Sequence, residues 1–256
     1  MELPGPLLKA RFIRREGRFK GVVQIDGEQR SVHVHDPGRL TELLKPGVEV
    51  LVRPHPRPGL KTELYLTAVL NNCTVLVDSA LHSKIVEEAL NQGAIEELKE
   101  YSVFKKEYRT NEGRVDFLLK GPRGEALLEV KGCTLVKDGV ALFPDAPTIR
   151  GVKHVKGLAK ALSEGYEAFV LFLIAHCKAK EFRPNFEVDP AFSHALLTAA
   201  REGVEVLAYK VDVQGREVRL QRPIPVKLEP PPLLSLIHIS EPTRPRLISY
   251  AVFCLK

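Results

Sequence analysis

Several absences narrow what this chain is. Its 256 residues hold no apolar run approaching the roughly 18 that a bilayer-spanning helix needs, so no membrane partner is expected. The opening Met-Glu-Leu-Pro-Gly-Pro has neither a basic n-region nor an apolar h-region, and no signal peptide is expected. Cys73, Cys133, Cys177 and Cys254 lie far apart and form no CxxC pair. Neither a zinc site nor a disulfide framework is therefore expected, and the cytoplasm is the expected location. No Gly-rich loop of the kind that cradles nucleotide or sugar phosphates is recognisable, which leaves an enzyme of sugar metabolism without support.

What is present describes a folded chain with a basic bias. Hydrophobic residues make up 44% and charged residues 27%, a balance that excludes a disordered polymer. The length suits one large domain or two ordinary ones. Net charge is +6, and the excess is uneven: Arg11, Arg14, Arg15, Arg18 and Lys20 crowd around a single Glu16. Such a cluster fits a polyanion such as nucleic acid, and equally a solvated basic surface.

Residues 7–77 read as short, often alternating strands, among them 21–25, 48–52, 64–69 and 74–77. Turns part them at Asp26-Gly27, Pro37-Gly38, Pro46-Gly47 and a Pro-rich stretch at 54–59. This spacing predicts a small β-barrel or sandwich, and an oligonucleotide-binding (OB) barrel fits the length. From Asp78 the period changes. Leu81, Ile85, Leu90, Ile95 and Leu98 recur at helical spacing, with an interruption expected at Gly93. Strands follow at 103–109, 114–120 and 125–131, then a loop over 132–146. A helix with Pro147 in its first position comes next, presenting Val152, Val155, Leu158, Ala159 and Leu162. Residues 168–175 predict a strand buried on both faces. Asp189 caps a second helix with Pro190 inside it, and 204–209 reads as the final strand. The fold class is thus α/β (α+β), with an OB-like domain at 1–78 and a mixed-sheet domain at 79–230. Residues 231–256 read as a non-native tail, since Ser235–Arg244 looks like translated sequencing adapter; the alternative is a native extension used in oligomerisation.

The chemistry lies in the second domain. Residues two apart on a strand share a side, so Glu129 and Lys131 point together. If 114–120 and 125–131 form a hairpin, Asp116 lies beside Glu129. Two carboxylates suit a hard cation, Mg2+ or Mn2+, completed by water and phosphate, and Lys131 can orient water or stabilise charge. Glu-x-Lys alone is more often a surface ion pair; the Asp before an apolar strand and the strand-strand-helix order strengthen the metal reading. Glu107 could add a third carboxylate, or pair with Lys105, Lys106 or Arg109. Thr148, Arg150, Lys153 and His154 cluster at a helix start, where backbone N–H groups favour phosphate; ordinary capping is the alternative. Asp145 reads as a cap or turn residue and Cys133 as a small core or loop residue.

Four blocks together resemble the sugar fermentation stimulation protein A (SfsA) family. They are Arg14-Arg15-Glu16-Gly17-Arg18-Phe19; His33-Val34-His35-Asp36-Pro37-Gly38-Arg39-Leu40; Arg114–Leu119 with Leu128-Glu129-Val130-Lys131; and Phe143–Thr148 with Arg150, Gly151 and His154. The resemblance implies an OB-like domain, a restriction-endonuclease-like domain of the PD-(D/E)xK type, DNA binding and a link to regulation of sugar metabolism. It carries Asp116, Glu129 and Lys131 onto the nuclease motif, and Arg14, Arg18, Phe19, His33 and Arg39 onto the N-terminal blocks. Asp36 and Ser83 depart from a frequent Asn, and Gly113 from a frequent Ser; none touches the metal trio.

The expectation is therefore a DNA-binding protein with a magnesium-dependent phosphodiester-hydrolysing site at Asp116, Glu129 and Lys131. Arg14, Arg15, Arg18 and Arg39 would grip the backbone, with His33, Thr148, Arg150 and His154 assisting. Phe19 reads first as barrel core and second as a base-stacking ring. RNA as substrate and a homodimer stay open. The alternative is a non-catalytic DNA-binding regulator that retains the fold.

Overall fold

The computed structural model describes residues 1–55 and 62–230. The Pro-rich turn expected at 54–59 falls largely outside the described residues, and the expected tail at 231–256 wholly so.

Period-two alternation builds the first domain. Strands β1 (Leu8–Arg15), β2 (Lys20–Ile25) and β3 (Glu28–His33) form a meander. β4 (Glu49–Pro54) pairs with the other side of β1, and β5 (Leu64–Asn71) with β4. A short parallel pairing, Val32 with Leu64 and His33 with Tyr65, closes these strands into a barrel. Asp26 and Gly27 join β2 to β3 at φ 50° and 86°, the doubly positive pair that lets a two-residue turn match the strand twist. Phe12, Val23, Val32, Val50, Val52 and Leu66 point inward and are buried; each contributes roughly 1.5–3 kcal/mol of burial. β6 (Cys73–Leu76) folds back antiparallel along β5.

The second domain begins with a 3₁₀ turn at Ser79–Leu81, whose Ala80 N–H is capped by Asp78. Helix α1 (His82–Asn91) follows and stops before Gly93, which takes φ 64°. β7 (Ser102–Thr110), β8 (Gly113–Gly121) and β9 (Gly124–Cys133) form an antiparallel meander. Beyond it lie β10 (Val136–Lys137), β11 (Val140–Phe143), α2 (Ile149–Ser163), β12 (Glu167–Ile174), β13 (Glu181–Pro184), α3 (Pro190–Glu202), β14 (Glu205–Gln214) and β15 (Glu217–Pro223). The main sheet has the order β15-β14-β12-β9-β8-β7, with β12 parallel to both β9 and β14. β12 is buried along almost its whole length, as its continuous apolar run requires.

One face of this sheet packs on α2 and α3 through Leu118, Leu127, Val170 and Phe172 against Val155, Leu158, Phe192 and Leu196. The other face, Phe117, Leu128, Phe169 and Leu171, shares one core with α1 and the barrel. The barrel is thus packed onto the sheet, which fixes the cleft between them.

Five sequence expectations need correction. The loop at 132–146 contains β10 and β11, because β11 finds a parallel partner in β13 some forty positions on. Pro147 stands just outside α2; Thr148 is the cap, its hydroxyl accepting from Gly151 N–H at 3.0 Å. Strand 204–209 is not the last, since β14 runs to Gln214 and pairs with β15. Most consequentially, Cys73 and Cys177 form a disulfide between barrel and sheet, so the cysteine spacing did not exclude one. Cys133 is buried and unpaired, as its reading required. The first residues, assigned by sequence to the barrel, add instead to the second sheet: Leu3 N–H donates to Arg216 O at 2.7 Å. Among the described residues no helix is long and apolar enough to cross a membrane.

Candidate metal and phosphodiester site

Strands β8 and β9 pair from Gly121–Gly124 as far as Phe117–Leu128. One step beyond, the Asp116 carboxylate accepts the Val130 N–H at 2.7 Å. The side chain thus replaces a ladder bond, and Asp116, Glu129 and Lys131 line one cleft of about 360 Å³. Glu129 is 3% exposed. Its Oε1 receives both Lys131 Nζ and His154 Nδ1. His154 Nε2 in turn accepts from Arg150 Nε at 3.2 Å, so α2 holds the imidazole and the imidazole holds Glu129. Glu129 Oε2 is buried and has no partner. An orphaned carboxylate oxygen is costly unless a ligand completes it, and its position beside Asp116 fits a hard cation.

The two carboxylates are tuned apart. Burial first, and the neighbouring Glu129 second, push Asp116 up to about 6. Burial alone would raise Glu129 as well, but His154 and Lys131 hold it below the usual range. Glu129 is therefore the firmer anion of the two, and Asp116 the one that holds its proton more readily.

The barrel supplies the facing wall. Arg18, Asp36, Pro37 and Gly38 line the same cleft as Asp145, Thr148 and Arg150. Asp145 Oδ2 accepts the N–H groups of Arg39 at 2.8 Å and Leu40 at 3.3 Å, pinning the barrel loop to the sheet domain. A Cβ on Gly38 would fall 2.5 Å from that oxygen, so a larger residue here would displace the Asp145 carboxylate. The cleft floor has a similar constraint: a Cβ on Gly132 would strike the buried His82 ring at 2.1 Å. Asp145, Asp36 and His82 were not among the expected site residues; Asp145 and Asp36 stood only within the family-like blocks at 143–148 and 33–40, and nothing in the sequence singled out His82.

Asp36 accepts from Gly38 N–H at 2.7 Å, and burial, with Asp145 nearby, pushes its pKa up to about 6. A folded-state value above the unfolded one means the ionised group opposes folding. That cost is absent at pH below the unfolded value, grows between there and about 6, and is complete above. Asp36→Asn keeps the acceptor and removes the charge. It is expected to stabilise the protein by on the order of 2 kcal/mol at pH 8 and to be neutral at pH 4; urea melts at the two pH values check this.

The remaining expected residues divide. Glu107 is exposed and does not line the cleft; it forms an ion pair, with Arg114 at 3.5 Å rather than with Lys105, Lys106 or Arg109. Arg15, expected at phosphates, instead directs its guanidinium at the carbonyls of Gly38, Arg39 and Asp36, and burial lowers its pKa. Arg14 is solvent-facing, with Glu16 at 2.6 Å. Arg39 gives its backbone N–H to Asp145 while its side chain is exposed. Phe19 is 45% exposed, which corrects the core reading. Its ring lies near-parallel to that of His33, at 6.3 Å.

Comparison with known proteins agrees with this architecture. The model described as "SfsA N-terminal OB domain" matches residues 13–77, and that described as "Sugar fermentation stimulation protein RE domain" matches residues 80–217. A sugar fermentation stimulation protein homolog of Caldivirga maquilingensis is 50% identical over 208 residues, covering 80% of this chain and 89% of that one. A homolog of Pyrobaculum arsenaticum is 48% identical over 222 residues, covering 86% and 94%. Among solved structures, Pyrococcus furiosus SfsA in complex with Ca2+ is similar, with a TM-score of 0.82 and 29% identity, covering 89% of this chain and 99% of that chain.

Proposed function

Because this chain belongs to the sugar fermentation stimulation protein (SfsA) family, we propose that it binds DNA and hydrolyses phosphodiester bonds with a divalent cation, Mg2+ or Mn2+, held by Asp116 and Glu129. The observation that carries this reading is the buried, unpartnered Oε2 of Glu129 beside Asp116 and Lys131. The Pyrococcus relative was solved with Ca2+, another oxygen-seeking cation, which supports a hard-metal site in this family.

A cation held there supplies positive charge against the scissile phosphate and acidifies water. The chain's own groups do the rest. Glu129 is kept ionised and oriented by His154 and Lys131. Lys131 stands where it can leave Glu129 Oε1 for a phosphate oxygen or for attacking water. Thr148 and Arg150 at the start of α2 line the same cleft and favour an anion there. Arg14, Arg18 and Arg39 offer backbone contacts that position nucleic acid without reading its sequence.

One observation favours the second reading, a DNA-binding regulator without turnover: Lys131 closes on Glu129, leaving the lysine that would meet phosphate on the cleft's own carboxylate. Incubating the full chain with labelled single- and double-stranded DNA and RNA, with magnesium, manganese or chelator, separates the two. Metal-dependent cleavage is expected; salt-sensitive retention without any cleavage would leave the regulator.

A further inference from the structure

Four barrel strands each place one residue in a single row. Lys20 of β2 stands opposite His33 of β3, His33 opposite Tyr65 of β5, and Tyr65 opposite Arg53 of β4. Residues directly opposite in a sheet share a face, and Phe12, Val32 and Val52 occupy the inner one. The row therefore crosses the barrel's outer surface.

Its rings touch in sequence. Arg53, bonded to the buried Asp78 at 2.7 Å, lies over the Tyr65 ring at 4.4 Å. His55 stacks on Tyr65 at 4.3 Å and 18°. Tyr65 is thus rigidly backed, and His33 stands edge-on to it at 5.3 Å and 85°. That orientation leaves His33 near-parallel to the exposed Phe19 ring, 17° apart, with Arg18 at 5.3 Å from Phe19. The path also reaches the cleft. Arg18 lines it, and so does Ser79, which bonds His35 at 3.0 Å beside His33.

We propose that this row is a track for single-stranded nucleic acid, stacking unpaired bases on Phe19 and His33 and delivering the strand to the cleft. The inference rests on the phosphodiester reading of that cleft. Every base has a π-face, so ring platforms bind single strands with little sequence preference. Bases inside a duplex are already stacked and cannot offer those faces, so the rings favour unpaired chains. Arg18 beside Phe19 supplies the charge that a phosphate backbone requires, and Lys20 at the end of the row adds to it once it leaves Glu16, which lies at 3.0 Å.

The test is fluorescence anisotropy on the full chain in chelator, where no metal-dependent cleavage intervenes. The probes are oligo(dT), oligo(rU) and a mixed-sequence duplex, each of about 20 nucleotides. Phe19→Leu, at an exposed position, is expected to weaken single-strand binding about tenfold and duplex binding less than about twofold. Phe19→Tyr should restore single-strand binding, which a merely apolar contact would not require. A preference between oligo(dT) and oligo(rU) would support the track and name its strand. Equal affinity of Phe19→Leu and the parent chain for single strands, or an equal loss on the duplex, would overturn it. Absence of metal-dependent cleavage with a selective Phe19→Leu defect would instead sink the catalytic reading and leave the track standing.

Discussion

Asp116→Asn is expected to abolish metal-dependent cleavage, lowering the single-turnover rate by at least about 10³-fold. The choice of Asn matters. Asp116 Oδ2 accepts the Val130 N–H where β8 and β9 part, and an amide oxygen preserves that bond. Alanine would leave a backbone donor without its partner and mix a folding defect into the result. What Asn removes is the negative charge, and with it one of two anionic cation ligands. Charge stabilisation by a bound metal amounts to several kcal/mol of transition-state energy, and each 1.36 kcal/mol is tenfold in rate. Lys131→Ala should act differently. Glu129 keeps its His154 contact, so calcium binding measured by calorimetry should change little, while the rate falls by about 10²–10³-fold, the range for one lost electrostatic donor. An Asp116→Asn chain that cleaves at the parental rate would end the assignment, and so would a Lys131→Ala chain that loses metal and rate together.

The parts of this fold that are legible in sequence are those decided locally. Asp26-Gly27 announces its hairpin because only such residues accept two positive φ angles at low cost. Asp189-Pro190 announces α3, with Asp189 Oδ1 accepting Phe192 N–H at 2.9 Å. The alternation of Glu129 and Lys131 across Val130 places their side chains together once 125–131 is read as a strand. What sequence hides is decided at long range. Asp145 meets the Arg39 N–H across 106 positions, and no local pattern marks either as a partner of the other. β10, at Val136–Lys137, is too short to show a period. Phe19 looks like core because aromatic residues usually are; it stands instead in the bend just before β2, exposed, with its carbonyl accepting from Val34 N–H at 3.1 Å. Glu107 shows the converse: a carboxylate in a suggestive place by sequence that the backbone, at φ 49°, turns to an exposed arginine.

The cysteine pair hides for the same reason, and its removal should give the largest stability change. The bond joins positions 104 residues apart. Closing a loop of that length removes unfolded-state entropy of about 4–5 kcal/mol, and measured losses of native disulfides run at about 2–5 kcal/mol. At the roughly 2–4 °C per kcal/mol expected for a chain of this size, Cys73→Ser should lower the melting temperature by about 10 °C. Reductant should lower the parent chain by the same amount and leave Cys73→Ser unmoved. If reductant shifts both equally, or neither, the cross-link does not stabilise the fold. Reduction should nevertheless leave a folded molecule at moderate temperature. Phe117, Leu128, Phe169 and Leu171 share one core with α1 and the barrel, and Asp145 still holds the Arg39 loop. These contacts lie beside the cleft and position its two walls without the bond. Cleavage measured well below the melting point should therefore be insensitive to reductant, and the disulfide's contribution should appear only as heat or denaturant brings the global transition near.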